Sequence, residues 1–371
     1  EIIFMKITAA VTRAKSEPFC IRELDLEGPH AGEILVKVLA TGMCHTDLLV
    51  RDQYYPVPLP AVLGHEGAGV VAAVVAVVNK VKVGDHVVMS FGACDTCSRC
   101  LQGEPGYCRD FFGANLGGIR SDGSAMYSDQ GEPVHGNFFQ QSSFGSYAIC
   151  REQNIVKVPK DLPLEILGPL GCGIQTGAGA VMNAFKPDAG TSIVVFGAGS
   201  VGLSAIMAAK VVGCTTIIAV DVQASRLVLA AELGATAVVN PVDIENVSEW
   251  LIEATGGGAD FSLETTSLPE VLRQAVDSIN VRGICGVVGA PAIGTEVVLD
   301  VNNILFGRTI RGIIEGDSMP DIFIPRLIEL YKQGRFPFDK LLTFYDLEDI
   351  NQAANDSSSG AVVKPVIRMP L

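Results

Sequence analysis

The sequence predicts an α/β protein of two domains, one β-rich and loop-heavy, the other a doubly wound parallel sheet. Three observations predict it. The chain has 371 residues, and domains usually run to ~100–200 residues. Its first part, to about residue 150, is rich in Val, Gly and Pro, with short alternating stretches between turn signals. From residue 174 onward, short apolar runs alternate with helical segments, the pattern of βαβ units and a parallel sheet. The texture places residues 1–173 and 316–371 in the β-rich domain and 174–315 in the doubly wound one.

In the first domain, Glu33–Leu39 and Gly84–Met89 read as strands beside turn signals such as Gly28-Pro29 and Val83-Gly84-Asp85. The polar, Gly-rich stretch Gly113–Gly136 reads as a long surface loop. In the second, the predicted strands are Ile193–Phe196, Ile217–Val220, Ala237–Asn240, Phe261–Glu264 and Gly283–Val288. The intervening helices are Val201–Val212, Ser225–Leu233, Val242–Ala254 and Pro269–Ile279. A helix over Asp321–Gln333 and a strand over Val362–Ile367 then return to the first domain.

Composition excludes several functions. Lys and Arg total 27 against 41 Asp and Glu, a net charge of −14; with no basic cluster, nucleic acid is excluded as a partner. The longest apolar run, Val70–Val78, has nine residues, short of the ~20 that a membrane helix needs. No basic segment followed by an apolar one opens the chain, so a cytoplasmic setting is expected.

Cys94, Cys97, Cys100 and Cys108 fall within fifteen residues, spaced Cys-x2-Cys-x2-Cys-x7-Cys. In a reducing compartment, clustered thiols read as metal ligands. Four thiolates close a tetrahedral shell, so this pattern predicts a structural zinc. An iron–sulfur cluster also takes four thiolates, but the last gap does not suit the usual runs.

Gly197-Ala-Gly199-Ser-Val-Gly202 follows a predicted strand and opens a predicted helix. In that context G-x-G-x-x-G is a dinucleotide fingerprint. Gly197 makes the tight turn, Gly199 admits a pyrophosphate, and Gly202 lets helix and strand pack closely. The helix start, with Ser200 and Val201, faces the phosphate charge. Asp221 lies 19 residues beyond Gly202 at the end of the next strand. A carboxylate there accepts from the adenosine ribose hydroxyls and repels a 2′-phosphate, so NAD is expected rather than NADP.

Cys44-His45-Thr46-Asp47, Gly64-His65-Glu66-Gly67 and Gly171-Cys172-Gly173 supply two thiols and an imidazole. Such a set leaves one position of a zinc open, as catalysis requires. With these motifs, the four-cysteine lobe and the glycine fingerprint, nearly the whole chain resembles the zinc-dependent medium-chain alcohol dehydrogenases. Tyr54–Gly64, Phe138–Gly145, Leu167–Ala180 and Phe336–Asp339 are most similar to the aryl (benzyl) and allylic-terpenoid alcohol dehydrogenases of that family.

The resemblance implies a GroES-like catalytic domain, a Rossmann domain, two zincs and NAD. Cys44, His65 and Cys172 would ligate the catalytic zinc, with Asp47 fixing the His65 tautomer. Glu66 would sit behind the metal, and Thr46 would take the alcohol proton. Thr176 would brace the nicotinamide, His45 and Lys364 would meet the pyrophosphate, and Arg226 would reach the adenosine ribose; relatives often carry Arg at the Lys364 position. The implied reaction is oxidation of a primary alcohol to an aldehyde by hydride transfer to NAD, in a cleft between the domains. Several relatives end the proton relay on a His five residues after the first zinc-ligand Cys; here that residue is Leu49. Cys172 speaks against polyol and threonine dehydrogenases, which commonly offer Glu as the third ligand. Glutathione-dependent formaldehyde oxidation and aliphatic or terpenoid alcohols remain the alternatives. Phe91, Tyr54, Phe138 and Phe144 are candidates to line an apolar substrate slot. The family resemblance implies a homodimer or homotetramer, and Glu296–Asp300 is a strand that could pair with its copy across a two-fold axis.

Overall fold

The computed structural model describes residues 4–120 and 122–370. The chain divides into two compact units. One comprises Glu1–Cys172, Met319–Arg326 and Leu341–Leu371; the other comprises Gly173–Ser318 and Leu327–Lys340. The sequence placed the boundaries at 173/174 and 315/316. The structure places them at 172/173 and 318/319, and takes Leu327–Lys340 into the second unit.

The first unit begins with β1 (Phe4–Thr12), β2 (Cys20–Glu27), β3 (Glu33–Gly42), β4 (Ala61–Val62), β5 (Glu66–Val74) and β6 (His86–Met89). It continues through β7 (Tyr127–Asp129), β8 (Glu132–Val134), β9 (Tyr147–Arg151) and β10 (Ile155–Lys157). The second unit holds β11 (Ser192–Phe196), β12 (Thr216–Val220), β13 (Ala237–Val239), β14 (Ala259–Glu264), β15 (Ile279–Val287) and β16 (Thr309–Gly312). β17 (Leu342–Asp346) and β18 (Lys364–Arg368) complete the first unit.

Two sheets build the first unit. One runs β4-β1-β2-β7-β8; the other runs β10-β6-β5-β3-β18-β17, with β9 also paired to β3. β2 shows why such strands form: buried Leu24 and Leu26 alternate with more exposed neighbours. The core between the elements gathers Ile7, Leu24, Val36, Leu63, Val87 and Phe144, all at most 2% exposed.

The pairing of β3 with β5 sets up the site. Its antiparallel register brings Gly42 opposite Glu66. Cys44 lies two residues beyond the end of β3, and His65 immediately precedes β5. The two therefore emerge from neighbouring strand ends. Cys172 arrives on the short helical turn Gly168–Gly171. That turn sits so close to β6 that a Cβ on Gly171 would lie 2.1 Å from the Met89 carbonyl oxygen.

The second unit is a six-stranded parallel sheet in the order β13-β12-β11-β14-β15-β16. Ile193, Val194, Val195 and Phe196 of β11 are fully buried, as a strand covered on both faces must be. Strand order reverses at β11, whose two neighbours are β12 and β14. Such a switch point leaves a crevice at the carboxyl ends of the strands. The helix Ser200–Val212 starts there, immediately after Gly199.

Three sequence expectations need correction. Gly113–Gly136 is not one loop: the helix Phe111–Leu116 runs into it, and β7 and β8 form a hairpin that joins β2, anchored by buried Met126 and Tyr127. The helix expected over Val242–Ala254 starts only at Val247, because Asn246 caps it by accepting from the Glu249 amide. Glu296–Asp300 is not a strand in the single chain. β16, the outer partner of β15, is the last strand of the sheet, and the segment does not pair with it; Val298 is 83% exposed.

The helix Gly173–Gly179 packs tightly on the helix Ser200–Val212: a Cβ on Gly177 would lie 1.9 Å from the Val201 carbonyl oxygen. Overpacking of this kind costs about 1–3 kcal/mol. Gly177→Ala is therefore expected to lower Tm by roughly 3–10 °C in a calorimetric scan.

Candidate metal centres and dinucleotide site

Cys44, His65, Glu66 and Cys172 each bring one ligand atom to within 4.8 Å of the others. His65, Glu66 and Asp47 are at most 1% exposed. Asp47 organises the approach. One carboxylate oxygen accepts from the Cys44 amide at 2.8 Å. The other accepts from the Gly64 amide at 3.1 Å and lies 2.9 Å from His65 Nδ1. This fixes the ring with Nδ1 toward the carboxylate and Nε2 toward the sulfurs. Nε2 is buried and has no hydrogen-bond partner. A buried, unpaired ring nitrogen beside two thiols and the Glu66 carboxylate fits a divalent cation. The Asp47 carboxylate is the outer partner that such an imidazole usually has.

The buried groups act strongly on one another. The Cys44 thiol is held well below its usual value, mainly by Cys172, against burial and with help from His65 and Lys364. Burial alone would push His65 down, but Asp47 and Cys44 hold it well above its usual value. Burial pushes Glu66 up, partly offset by Lys364. Lys364 is 1% exposed. Its ammonium lies 2.8 and 2.9 Å from the two Glu66 oxygens and 3.2 Å from the Met43 carbonyl. Burial opposes its charge, yet Glu66 raises its pKa above the ordinary lysine value. The sequence expected Lys364 at a pyrophosphate; the structure turns it inward onto Glu66. Thr46 Oγ1 lies 3.7 Å from Cys44 Sγ. His45 is exposed and Leu49 half-buried.

The second centre gathers Cys94, Cys97, Cys100 and Cys108. Sγ of Cys100 lies 3.9 Å from that of Cys94 and 3.6 Å from that of Cys97. A tetrahedron with Zn–S near ~2.3 Å has S–S edges of about 3.8 Å. Backbone amides point at the sulfurs: Cys97 to Cys94, Cys94 to Cys108 and Arg109 to Cys97. The Arg109 amide is the main cause that lowers Cys97 to about 6, while burial raises Cys100 to about 12.

In the second unit, Gly197 has a φ of +92° and ends the β11 turn. A Cβ on Gly202 would lie 1.8 Å from the Gly197 carbonyl oxygen, whereas one on Gly199 would meet nothing within 4 Å. The second and third glycines thus do different work: one leaves room for a ligand, the other permits packing. Asp221, 9% exposed, ends the β12 turn and accepts from the amides of Ala198 at 2.6 Å and Gln223 at 2.7 Å. Arg226 Nε is buried without a partner. Together these fit a dinucleotide with a free adenosine 2′-hydroxyl. Thr176 Oγ1 lies 3.3 Å from the Glu315 carboxylate.

The comparisons decide the family. Residues 30–160 match the alcohol dehydrogenase GroES-like domain family, and residues 200–333 match the zinc-binding dehydrogenase family. The chain belongs to the zinc-dependent alcohol dehydrogenases. A geraniol dehydrogenase of Castellaniella defragrans is 43% identical over 366 residues, 98% of each chain. The solved benzyl alcohol dehydrogenase of Acinetobacter calcoaceticus is 52% identical, covers 99% of this chain and 100% of its own, and superposes with a TM-score of 0.96. An alcohol dehydrogenase zinc-binding domain protein from Burkholderia ambifaria is 57% identical over 100% of both chains, with a TM-score of 0.97. The GroES-like and parallel-sheet architecture of this alcohol dehydrogenase is thus shown both by its own strands and by its relatives.

Sequence reasoning missed some supporting residues. Gln141 is fully buried; its amide donates to the carbonyls of His65 and Ser90, each at 3.0 Å, and accepts from the Gly67 amide at 3.1 Å. Phe139 stacks on the His65 ring at 4.5 Å, and Phe138 meets that ring edge-on at 5.4 Å. Both aromatics and Gln141 lie in Phe138–Gly145, a stretch that carried the subgroup resemblance. Of the aromatics expected at the substrate slot, Phe91, Phe138 and Phe144 are buried and Tyr54 is 55% exposed. Among the described residues, no helix is long and apolar enough to cross a membrane.

Metal analysis checks these centres. The parent dehydrogenase is expected to hold two zincs per chain, and Cys97→Ser one. Asp47→Asn should keep both but lose zinc from the first centre to a chelator 10–100-fold more readily, the usual effect of removing a ligand's outer partner.

Proposed function

We propose that this chain oxidises primary aromatic or allylic alcohols to aldehydes with NAD, the fold's zinc-binding residues being Cys44, His65 and Cys172 for the catalytic ion and Cys94, Cys97, Cys100 and Cys108 for the structural one. The aromatics at His65 pack its ring from within the core, so the substrate class rests on the likeness to dehydrogenases named for geraniol and benzyl alcohol. Phe139 lies face-on to the ring and Phe138 edge-on, with Phe111 6.3 Å from Phe139 and Phe91 6.1 Å from Phe111. Two relatives named for geraniol and benzyl alcohol support the same class, since each of those alcohols carries its hydroxyl carbon next to a π system.

Cys44, His65 and Cys172 would hold a zinc, which would supply Lewis acidity and lower the pKa of an alcohol as it lowers that of water, to ~7. Asp47 holds His65 in the ligating tautomer. Thr46 takes the alcohol proton, and Leu49 stands where several relatives place the histidine that ends the relay, so the proton ends on water or on another base. Gly199 leaves room for the pyrophosphate, Thr176 braces the nicotinamide, and Asp221 bars a 2′-phosphate. Glu66, paired with Lys364, sets the charge behind the metal.

We also infer a homo-oligomer. Ile293, Val298, Val301, Leu305 and Phe306 are each at least 61% exposed along one segment of the second unit, and a second copy could supply the ladder that Glu296–Asp300 lacks. Light scattering that finds a monomer at micromolar concentration would remove this inference.

With NAD, benzyl alcohol and geraniol are expected to exceed ethanol and S-hydroxymethylglutathione at least tenfold in kcat/KM, ~1.4 kcal/mol of transition-state binding. Cys44→Ser should lose oxidation and one zinc together. Equal turnover of ethanol would overturn the substrate class, and an active Cys44→Ser would overturn the mechanism.

A further inference from the structure

β16 ends at Gly312, and the chain then makes a turn of unusual backbone geometry. Glu315, Gly316 and Asp317 take φ of +50°, +66° and +49°. Two of these residues carry a Cβ, and side chains rarely accept the left-handed region. The surroundings hold the turn in place. The Asn183 amide donates to the Gly316 carbonyl at 3.1 Å. The Ser318 hydroxyl lies 2.6 Å from the Glu315 carbonyl and 3.0 Å from Gln175 Oε1. Arg311 pairs with Asp317. The turn presses on the helix Gly173–Gly179 so closely that a Cβ on Gly179 would lie 2.2 Å from the Gly316 carbonyl oxygen. Backbone strain maintained by this many contacts is characteristic of functional sites.

What the turn delivers is the Glu315 carboxylate, 8% exposed. One oxygen accepts from Thr176 Oγ1 at 3.3 Å and from Gln175 Nε2 at 3.4 Å. Thr176 precedes Gly177, which touches the first turn of the helix that follows Gly199. The acid is therefore tied, through one helix, to the phosphate-binding end of the sheet.

Topology says which part of a dinucleotide lies on that side. Asp221 ends β12, so the adenosine ribose belongs on the β12 side of β11. From a pyrophosphate at Gly199, the other half must extend over the carboxyl ends of β14, β15 and β16. Glu315 is three residues beyond the end of β16. The nicotinamide ring is cationic when oxidised and neutral when reduced. A carboxylate on its side of the sheet stabilises the oxidised form selectively.

We propose that Glu315 is a positioning residue for the nicotinamide, fixing Thr176 and Gln175, and that its charge biases the site toward NAD over NADH. This rests on the reading that the second unit binds NAD. Calorimetric titration of parent and Glu315→Gln with NAD, NADH and ADP-ribose tests it, since ADP-ribose lacks the nicotinamide. In Glu315→Gln, NAD is expected to bind about tenfold more weakly, NADH about threefold, and ADP-ribose unchanged within about twofold. Thr176→Val keeps the charge and removes one donor to it. It should weaken NAD and NADH by the same factor, about threefold, and leave ADP-ribose alone. Equal loss of all three ligands, or of NAD and NADH alike in Glu315→Gln, overturns the proposal, as does no loss at all. Should Glu315→Gln fail to fold, Thr176→Val decides: a variant that binds all three as the parent does, or changes the NAD to NADH ratio, overturns it. A parent that binds no ADP-ribose overturns the dinucleotide reading as well, and is distinguishable on that ground.

Discussion

The register of β3 against β5 is the constraint on which the first metal centre depends. With Gly42 opposite Glu66, the chain leaving β3 and the chain entering β5 share one end of the sheet. A thiol two residues past one strand and an imidazole one residue before the other are then neighbours. A slip of one residue would turn every side chain of β5 to the opposite face, so the register has to be enforced. Close approach does part of this: a Cβ on Gly42 would lie 2.0 Å from Glu66 Oε2. Asp47 does the rest, by binding the Cys44 amide, the Gly64 amide and the His65 ring with a single carboxylate.

That carboxylate is one member of a buried set of charges. Asp47, Glu66 and Lys364 are each at most 1% exposed. Desolvating such groups costs several kcal/mol per ion, and only close pairing offsets it. Lys364 against both Glu66 oxygens, with the Met43 carbonyl as a third acceptor, is such a pairing. The same logic explains why the ammonium turns inward. A lysine at this position of β18 faces a buried glutamate whose burial raises its pKa; leaving that carboxylate alone would cost more than withdrawing the ammonium from solvent.

The four-cysteine cluster and the glycine fingerprint were legible because their spacing constrains them, whereas Cys44, His65 and Cys172, far apart in the chain, were joined only by the family resemblance. Four thiols in fifteen residues leave few arrangements. The strand, fingerprint and helix from Ile193 to Val212 form a contiguous unit whose periodicity gives its bounds to within a residue. Gln141 and Glu315 were not legible. Gln141 satisfies backbone groups of Gly67 in β5 and of Ser90, just after β6, which are brought to it by long-range pairing. Glu315 owes its place to three left-handed residues held by Arg311, Asn183 and Gln175. Neither residue type nor local periodicity carries that information. Glu296–Asp300 forms no strand in the single chain: alternation reveals a strand's faces but not whether a ladder is there to receive it.

The two thiolate sets also show why similar residues take different chemical roles. In the four-cysteine lobe, backbone amides from Cys94, Cys97 and Arg109 are spent on the sulfurs, which stabilises negative charge and closes the shell. At Cys44 and Cys172 the third donor is an imidazole whose outer nitrogen is already committed to Asp47, and the fourth corner has no sulfur. A closed four-thiolate shell suits a site whose contribution is folding free energy, whereas a mixed set of sulfurs, imidazole and carboxylate is not closed by sulfur alone. The donor sets thus differ in chemistry, four sulfurs in one and two sulfurs, an imidazole and a carboxylate in the other.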